Sequence, residues 1–307
     1  MVIVGVFPGQ GSQTPGFLSP WLELDGARDL IDTYGEVAQV DLVAAGTTWD
    51  ADAIRDTKIA QPLIVAASLL SWHALGERTP VRPAGVAGHS VGEIAALVAA
   101  EVLTADDGMR LVGERGRAMA QAAAEAETGM SAVIGGDPEA VVARLAEADL
   151  APANYNGGGQ LVAAGSVEAL ADLAADPPAG TRVIPLQVAG AFHTRYMAPA
   201  VEALRVAAAE VEASDPSVTL WSNRDGSVVR AGRRALDLLV DQVASPVRWD
   251  LCMASFADAG VTGIIEFAPA GALTGLAKRG LRGEPAVAVK TPDDLAAAAE
   301  LLNGEAA

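Results

Sequence analysis

Apolar positions along this chain alternate between two rhythms: short runs that are apolar at nearly every position, and longer stretches with a period near 3.6 residues. Val2 to Phe7 is the first short run, and it stops at the Gly9-Gln10-Gly11 loop. A continuous run of that length predicts a strand buried on both faces. Alanine-rich helical stretches follow, then a second short strand over Gly85 to Gly88, a small-residue helix over Val91 to Ala100, and a helix over about Ala105 to Ala126.

After Thr128-Gly129 the rhythm shortens. It reads strand Met130 to Ile134, helix Pro138 to Glu147, strand Ala153 to Asn156, strand Gln160 to Ala164, helix Val167 to Ala174 and strand Arg182 to Val188. That order, βαββαβ, is the ferredoxin-like arrangement. From His193 onward helices again alternate with short strands, at Val218 to Trp221, Gly263 to Phe267 and Ala286 to Val289, as in a parallel α/β sheet. The pattern therefore predicts an α/β protein: a large, α/β-hydrolase-like domain with a parallel sheet from residues 1–127 and 193–307, and a small ferredoxin-like insert over 128–192. A cleft is expected between them.

Composition narrows the class. The 307 residues are 51% hydrophobic but only 4% aromatic, so the core must be built mainly from Ala, Val and Leu. No run approaches the roughly 18 apolar residues needed to span a bilayer, and no basic segment precedes the short apolar stretch at the N-terminus, so a cytoplasmic protein without membrane contact is expected. The single cysteine, Cys252, lies in an apolar pattern and reads as core. One cysteine and three dispersed histidines give no recognisable metal-ligand spacing, so no metal is expected. A net charge of −18 argues against nucleic acid, whose binding needs basic surface.

Candidate chemistry centres on Gly88-His89-Ser90-Val91-Gly92, at the junction of a strand and a helix. A serine on such a turn stands clear of the backbone, and the glycines allow a strained turn with the helix packed close to the strand. In a chain with 32 glycines the pattern also arises by chance, so Ser90 becomes a candidate nucleophile only if a base can be found. His89 adjoins Ser90 and should leave the elbow in another direction. His73 ends an apolar helical run from Gln61, where a packed or surface histidine is the default. His193 remains, in the loop Gly190-Ala191-Phe192-His193-Thr194, where a catalytic imidazole could sit. By itself a lone loop histidine is more often structural.

These residues belong to a longer series. Phe7-Pro8-Gly9-Gln10-Gly11-Ser12-Gln13, Gly88 to Glu93, Arg115-Gly116-Arg117-Ala118-Met119, Asn154 to Gln160, Phe192-His193-Thr194, Ser245-Pro246-Val247-Arg248-Trp249 and Leu273 to Arg279 occur in that order. Together they resemble the malonyl-CoA:acyl carrier protein transacylases, the acyltransferase family of fatty-acid and polyketide synthesis, over nearly the whole chain. Departures from the family pattern are Thr194 after the histidine, Ser245 in place of a common asparagine, and Ala268-Pro269-Ala270-Gly271 in place of Gly-Pro-Gly. None touches the nucleophile, the base or the arginine.

The resemblance implies malonyl transfer from malonyl-CoA to the phosphopantetheine thiol of acyl carrier protein through an ester on Ser90, with His193 as base and no permanently bound cofactor. It implies an oxyanion hole from the backbone N–H groups of Gln10 and Val91, orientation of the imidazole by the backbone carbonyl of Gln242, and binding of the malonyl carboxylate by Arg115. Phe192 and Val91 are the residue types that accompany malonyl rather than methylmalonyl. Coenzyme A and carrier are both acidic, so an acidic enzyme must concentrate cations locally. Lys278, Arg279 and Arg282 are the candidate rim, and Arg115 and Arg117 form a second cluster. Arg230, Arg233 and Arg234 read as a solvated face. A monomer is expected. Fatty-acid and polyketide pathways are not distinguished. Two other classes compete: a serine esterase or patatin-like acyl hydrolase that would recruit Asp225, and a silent carrier-docking module that would need neither His193 nor Arg115.

Overall fold

The computed structural model describes residues 1–304. Its strands are β1 (Ile3–Phe7), β2 (Gly85–Gly88), β3 (Thr128–Gly135), β4 (Ala151–Gly157), β5 (Gln160–Ser166), β6 (Thr181–Pro185), β7 (Thr219–Trp221), β8 (Val228–Val229), β9 (Val247–Arg248), β10 (Gly263–Glu266) and β11 (Ala286–Ala288). Its α-helices are α1 (Ala27–Ala38), α2 (Leu42–Thr47), α3 (Thr57–Arg78), α4 (Gly92–Ala99), α5 (Ala105–Ala123), α6 (Pro138–Glu147), α7 (Val167–Ala175), α8 (Ala198–Ala209), α9 (Gly232–Gln242), α10 (Trp249–Asp258), α11 (Ala272–Gly280) and α12 (Leu295–Asn303).

The strands form two sheets. The larger is ordered β11-β10-β1-β2-β7-β8 and is parallel from β11 to β7, with β8 returning antiparallel as a short edge. Every residue of β1, β2 and β10 is buried, as expected for strands covered on both faces by crossover helices. Register brings three strand ends level. Phe7 is paired with Gly88, and Ala87 with Trp221, so the C-terminal ends of β1, β2 and β7 lie side by side. The smaller sheet is ordered β6-β3-β5-β4-β9, and each of its first four strands runs antiparallel to its neighbours among them, in the ferredoxin-like order, with α6 and α7 packed on a separate apolar cluster around Val133, Leu145 and Leu173. The fifth strand is unexpected. Val247 and Arg248, far along the chain from the βαββαβ segment, add to β4 in parallel.

Helix α3 corrects one expectation. It is long and apolar enough, by length and composition, to cross a bilayer, with a mean hydropathy of 1.4 over its best window, although 78% of that window is buried inside the protein. Its apolar character is all-round because α1, α4, α5 and α12 pack around it. Strand β6 ends at Pro185, short of the expected Val188, and α5 ends at Ala123 rather than Ala126.

Beside β10, the buried Glu266 carboxylate accepts the backbone N–H groups of Gly271, Leu273 and Thr274 at 2.8–2.9 Å. It thereby satisfies donors that the first turn of α11 would leave orphaned. Under the β7 side of the sheet, Phe256 is fully buried, edge-on to Trp221 at 5.0 Å and to Trp249 at 5.9 Å. Truncating a buried phenylalanine costs about 3–5 kcal/mol, so Phe256→Ala is expected to shift the urea midpoint downward by that equivalent. An unchanged midpoint would show that the cluster of Trp221, Phe256 and Trp249 contributes nothing to stability.

Candidate active site

Three adjacent strand ends and four other segments meet at one point. Ser90 follows β2 and precedes α4, with φ of 54°, a left-handed conformation that a non-glycine residue adopts only under constraint. The neighbouring glycines are what make it possible. A Cβ on Gly88 would lie 1.9 Å from the carbonyl carbon of Gly92, and one on Gly92 would lie 2.2 Å from the Phe7 oxygen. The Gly9-Gln10 loop after β1 presses on the same turn, since a Cβ on Gly9 would come 3.0 Å from His89.

Ser90 Oγ lies 2.7 Å from His193 Nε2, and His193 Nδ1 lies 2.9 Å from the backbone oxygen of Gln242, which closes α9. The carbonyl can only accept, so Nδ1 carries the proton and Nε2 is left to accept one from the serine. His193 is also held at positive φ, 61°, and is 4% exposed. Burial, and secondarily the positive charge of Arg115, pushes its pKa down to about 3, which keeps the imidazole neutral.

Arg115 comes from the middle of α5 and is 1% exposed. Its Nη1 donates to Gln61 Oε1 at 2.7 Å, its Nη2 to Gln242 Oε1 at 2.8 Å, and Nη2 stands 3.5 Å from Ser90 Oγ. Its Nε is buried without a hydrogen-bond partner among the described residues. Burial lowers its pKa to about 10, against the opposing pull of Glu93. The surface ion pair with Glu114 that would make a helix arginine merely structural is instead made by Arg117, at 2.8 Å.

Several residues here had no role in the sequence reading. Asn223, after β7, accepts the Ser90 N–H at 2.8 Å and donates to Gly88 O at 2.7 Å. Glu93, 6% exposed in α4, accepts from the backbone N–H of Asn223 at 2.6 Å and from Gln242 Nε2. Gln61 sits inside an otherwise apolar stretch of α3. For Gln61 and Glu93 the available signal was a polar side chain beside an apolar run that demands burial; Asn223 lies in the polar stretch Ser222-Asn223-Arg224-Asp225 and carried no such signal.

The remaining candidates are spread around this point. Val91 is fully buried and Phe192 is 5% exposed in the main core. The backbone N–H groups of Gln10 and Val91 have no protein acceptor among the described residues. The Gln10 side chain points to Arg55 O and Thr57 Oγ1, both at 3.3 Å. His89 turns away to Asn156 Oδ1 at 2.9 Å and lies edge-on to Trp249. His73 is exposed and paired with Glu77. Asp225 accepts the Ser227 N–H at 3.0 Å and is exposed, so it supplies no acid to His193.

A cleft of about 310 Å³ opens beside Gln10, lined also by Arg55, Leu186 and Gln187, and continues past Arg55 and Gln187 into a hollow of about 840 Å³ that reaches Lys58 and Arg117. The three cations there are matched by Asp52, Asp56 and Glu114. Lys278, Arg279 and Arg282 are exposed, on and just after α11, and make no ion pair among the described residues; Arg279 lies over the β4–β5 turn at Gly158.

The acyl transferase domain family matches residues 4–297. The chain belongs to that family. Among its relatives, the malonyl CoA-acyl carrier protein transacylase of Mycobacterium tuberculosis is 54% identical over 290 residues, spanning 94% of this chain and 96% of its own. That of Escherichia coli K12 is 34% identical over 306 residues, spanning 96% and 98%. The acyl transferase fold is shared in detail with a crystal structure of the Mycobacterium tuberculosis enzyme, with a TM-score of 0.94 and coverage of 97% and 99%. It is shared also with a malonyl-transacylase solved in complex with its holo type II polyketide acyl-carrier protein, at 31% identity, with a TM-score of 0.92 and coverage of 98% and 100%.

The buried histidine gives an acid-side signature. Unfolded histidine takes up a proton near pH 6.5, whereas His193 in the folded state resists it down to about 3. The unfolded state therefore binds more protons across that interval, and stability contributed by the neutral imidazole, full above pH 6.5, is lost as pH falls toward 3. Urea midpoints measured from pH 7 to 4 are expected to decline less steeply in His193→Gln than in the parent. Parallel declines would show that His193 titrates in the fold as it does in water.

Proposed function

We propose that this chain transfers the malonyl group of malonyl-CoA to the phosphopantetheine thiol of an acyl carrier protein through an ester on Ser90, supplying acyl-chain assembly of the fatty-acid or polyketide kind. The observation that carries this reading is the pairing of a serine–imidazole dyad with a buried guanidinium 3.5 Å from the serine hydroxyl, whose Nε has no hydrogen-bond partner among the described residues. A buried donor left unpaired costs about 1–3 kcal/mol. A free carboxylate on the acyl group would satisfy it, and a guanidinium fork suits a carboxylate through parallel charge-assisted bonds.

Ser90 Oγ attacks the thioester carbonyl while His193 Nε2 takes its proton. The C–S bond breaks and the imidazolium returns the proton to the departing CoA sulfur. In the second half-reaction the carrier thiol gives its proton to His193 and its sulfur attacks the ester; the C–O bond to Ser90 breaks and the imidazolium returns the proton to Ser90 Oγ. The oxyanion is held by the N–H groups of Val91, at the start of α4, and Gln10, a loop that Gly9 keeps against the elbow. The arm of each substrate enters along the cleft beside Gln10. Phe192 and Val91 limit the acyl pocket to malonyl width. Residues 128–192 serve as the smaller unit over a catalytic unit of 1–127 and 193–307, and the enzyme works in the cytoplasm. A hydrolase reading has no comparable support, because His193 is oriented by a carbonyl and Asp225 lies elsewhere.

Intact-protein mass spectrometry with malonyl-CoA tests the reading: a malonyl adduct on the peptide containing Ser90, absent in Ser90→Ala, is expected, and an adduct elsewhere overturns it. In the same assay Arg115→Ala should separate substrates. Loss of one partner of a buried charge pair costs about 2–5 kcal/mol, so malonyl transfer should fall by roughly 30-fold or more while acetyl transfer falls little or rises. Equal losses would make Arg115 structural.

Lys278, Arg279 and Arg282 are proposed as the cationic rim met by the acidic carrier. Lys278→Glu with Arg279→Glu is expected to raise the carrier KM and flatten its salt dependence, with less change in malonyl-CoA acylation, since exposed charges act on encounter and are screened beyond about 10 Å at 0.1 M salt. Unaltered carrier kinetics with collapsed acylation would place the docking surface elsewhere.

A further inference from the structure

Glu93 is the one carboxylate that the buried network around Ser90 contains, and the transfer chemistry gives it no step. Its two oxygens each receive one donor: Oε1 the backbone N–H of Asn223, Oε2 the side-chain amide of Gln242. Those two donors lead on to the rest of the site. Asn223 holds the Ser90 N–H and the Gly88 carbonyl through its side chain. Gln242 holds Arg115 through Oε1, and His193 through its backbone oxygen.

The polarity of this chain of bonds is forced. An ionised carboxylate only accepts and a guanidinium only donates. The amide of Gln242 bridges them with its NH₂ toward Glu93 and its oxygen toward Arg115, and no other orientation satisfies both ends. Electrostatics runs the same way. Arg115 and Glu93 feel each other's charge across the amide, and the attraction opposes the burial that would otherwise neutralise each; burial drives the Glu93 pKa upward, and the hydrogen bonds and the Arg115 charge hold the rise to about 7. Two N–H groups aimed at two oxygens are the partners of the ionised form.

We propose that Glu93 is a positioning residue for acyl transfer: through Gln242 and Asn223 it fixes the amide that holds Arg115 and the backbone that holds Ser90, and it supplies the resident negative charge that balances the guanidinium until an acyl carboxylate arrives. The proposal rests on acylation of Ser90 from malonyl-CoA. It assigns the glutamate a measurable share in substrate choice, because an arginine without its resident counter-charge attracts a carboxylate more strongly than one with it.

The test is Glu93→Gln, assayed beside the parent with malonyl-CoA and acetyl-CoA and normalised to folded protein by circular dichroism. Malonylation of Ser90 in the parent establishes the underlying reading in the same experiment, so a failure of that reading is seen first and separately. A glutamine at this position can accept only one of the two N–H groups while presenting an NH₂ to the other. Because small misplacements of reacting groups are costly, turnover is expected to drop at least about tenfold with both substrates. The acetyl-to-malonyl KM ratio should rise several-fold at the same time. Wild-type kcat for both substrates, or a KM ratio that stays fixed or moves toward acetyl, overturns the proposal. Should that variant fail to fold, Glu93→Asp keeps the charge and shortens the reach. It is expected to lower kcat while leaving the KM ratio near that of the parent, and an undiminished kcat overturns the positioning role.

Discussion

The site depends on one constraint: a guanidinium is held almost wholly out of water within 3.5 Å of the Ser90 hydroxyl. Taking a full charge out of water costs several kcal/mol even after relaxation, so its surroundings must be polar and already oriented. Gln61 from α3, Gln242 from the end of α9 and Glu93 from α4 provide that setting. The same buried charge acts on its neighbours: it adds to the burial that holds His193 neutral, and it restrains the rise in the Glu93 pKa. His193, Ser90 and Arg115 are therefore one electrostatic unit assembled from seven segments.

Parallel register supplies the precision that such a unit requires. Because Phe7 pairs with Gly88 and Ala87 with Trp221, the chain leaves β1, β2 and β7 at the same level, and Gln10, Ser90 and Asn223 emerge as neighbours from positions far apart in sequence. Two residues of the dyad sit at positive φ. Strain of order 1–3 kcal/mol at each is tolerable only where the surroundings over-determine the conformation. The glycines at 88 and 92 on one side, and the hydrogen bond of His193 to Gln242 on the other, provide that constraint.

What could be read from the sequence came partly from local physics and partly from the family resemblance. Glycine spacing singled out Ser90 and the scarcity of histidines left His193 as the remaining candidate base, whereas Arg115, Gln10, Val91 and Gln242 were named through the resemblance alone. The βαββαβ order was legible because strand and helix periods differ. Two-residue strands such as β8 and β9 carry no period and could not be seen. Glu93 and Gln61 are recognisable only once burial is known, since a single polar letter in an apolar run looks the same whether it is tolerated at a surface or required in a network, and Asn223 is hidden in a polar stretch that reads as an ordinary turn. Helix α3 shows the reverse failure: its hydrophobicity reflects how many helices surround it and not any membrane.

The short strand β9 has a mechanical consequence. Val247 and Arg248 are stitched to Asn154 and Tyr155 of β4, the Arg248 N–H is bonded to the Asn223 carbonyl at 2.8 Å, and the Arg248 guanidinium lies 4.5 Å over the Tyr155 ring. His89 adds a second tie, to Asn156 on the same strand. The smaller sheet is thus pinned along its β4 edge to the two segments that flank the nucleophile, while β6, at its opposite edge, has a neighbour on one side only. The two edges of that sheet are therefore mechanically unequal: β4 shares bonds with the segments carrying Asn223 and His89, so a substitution that shifts β4 bears directly on the turn at Ser90, whereas one at β6 meets no such tie.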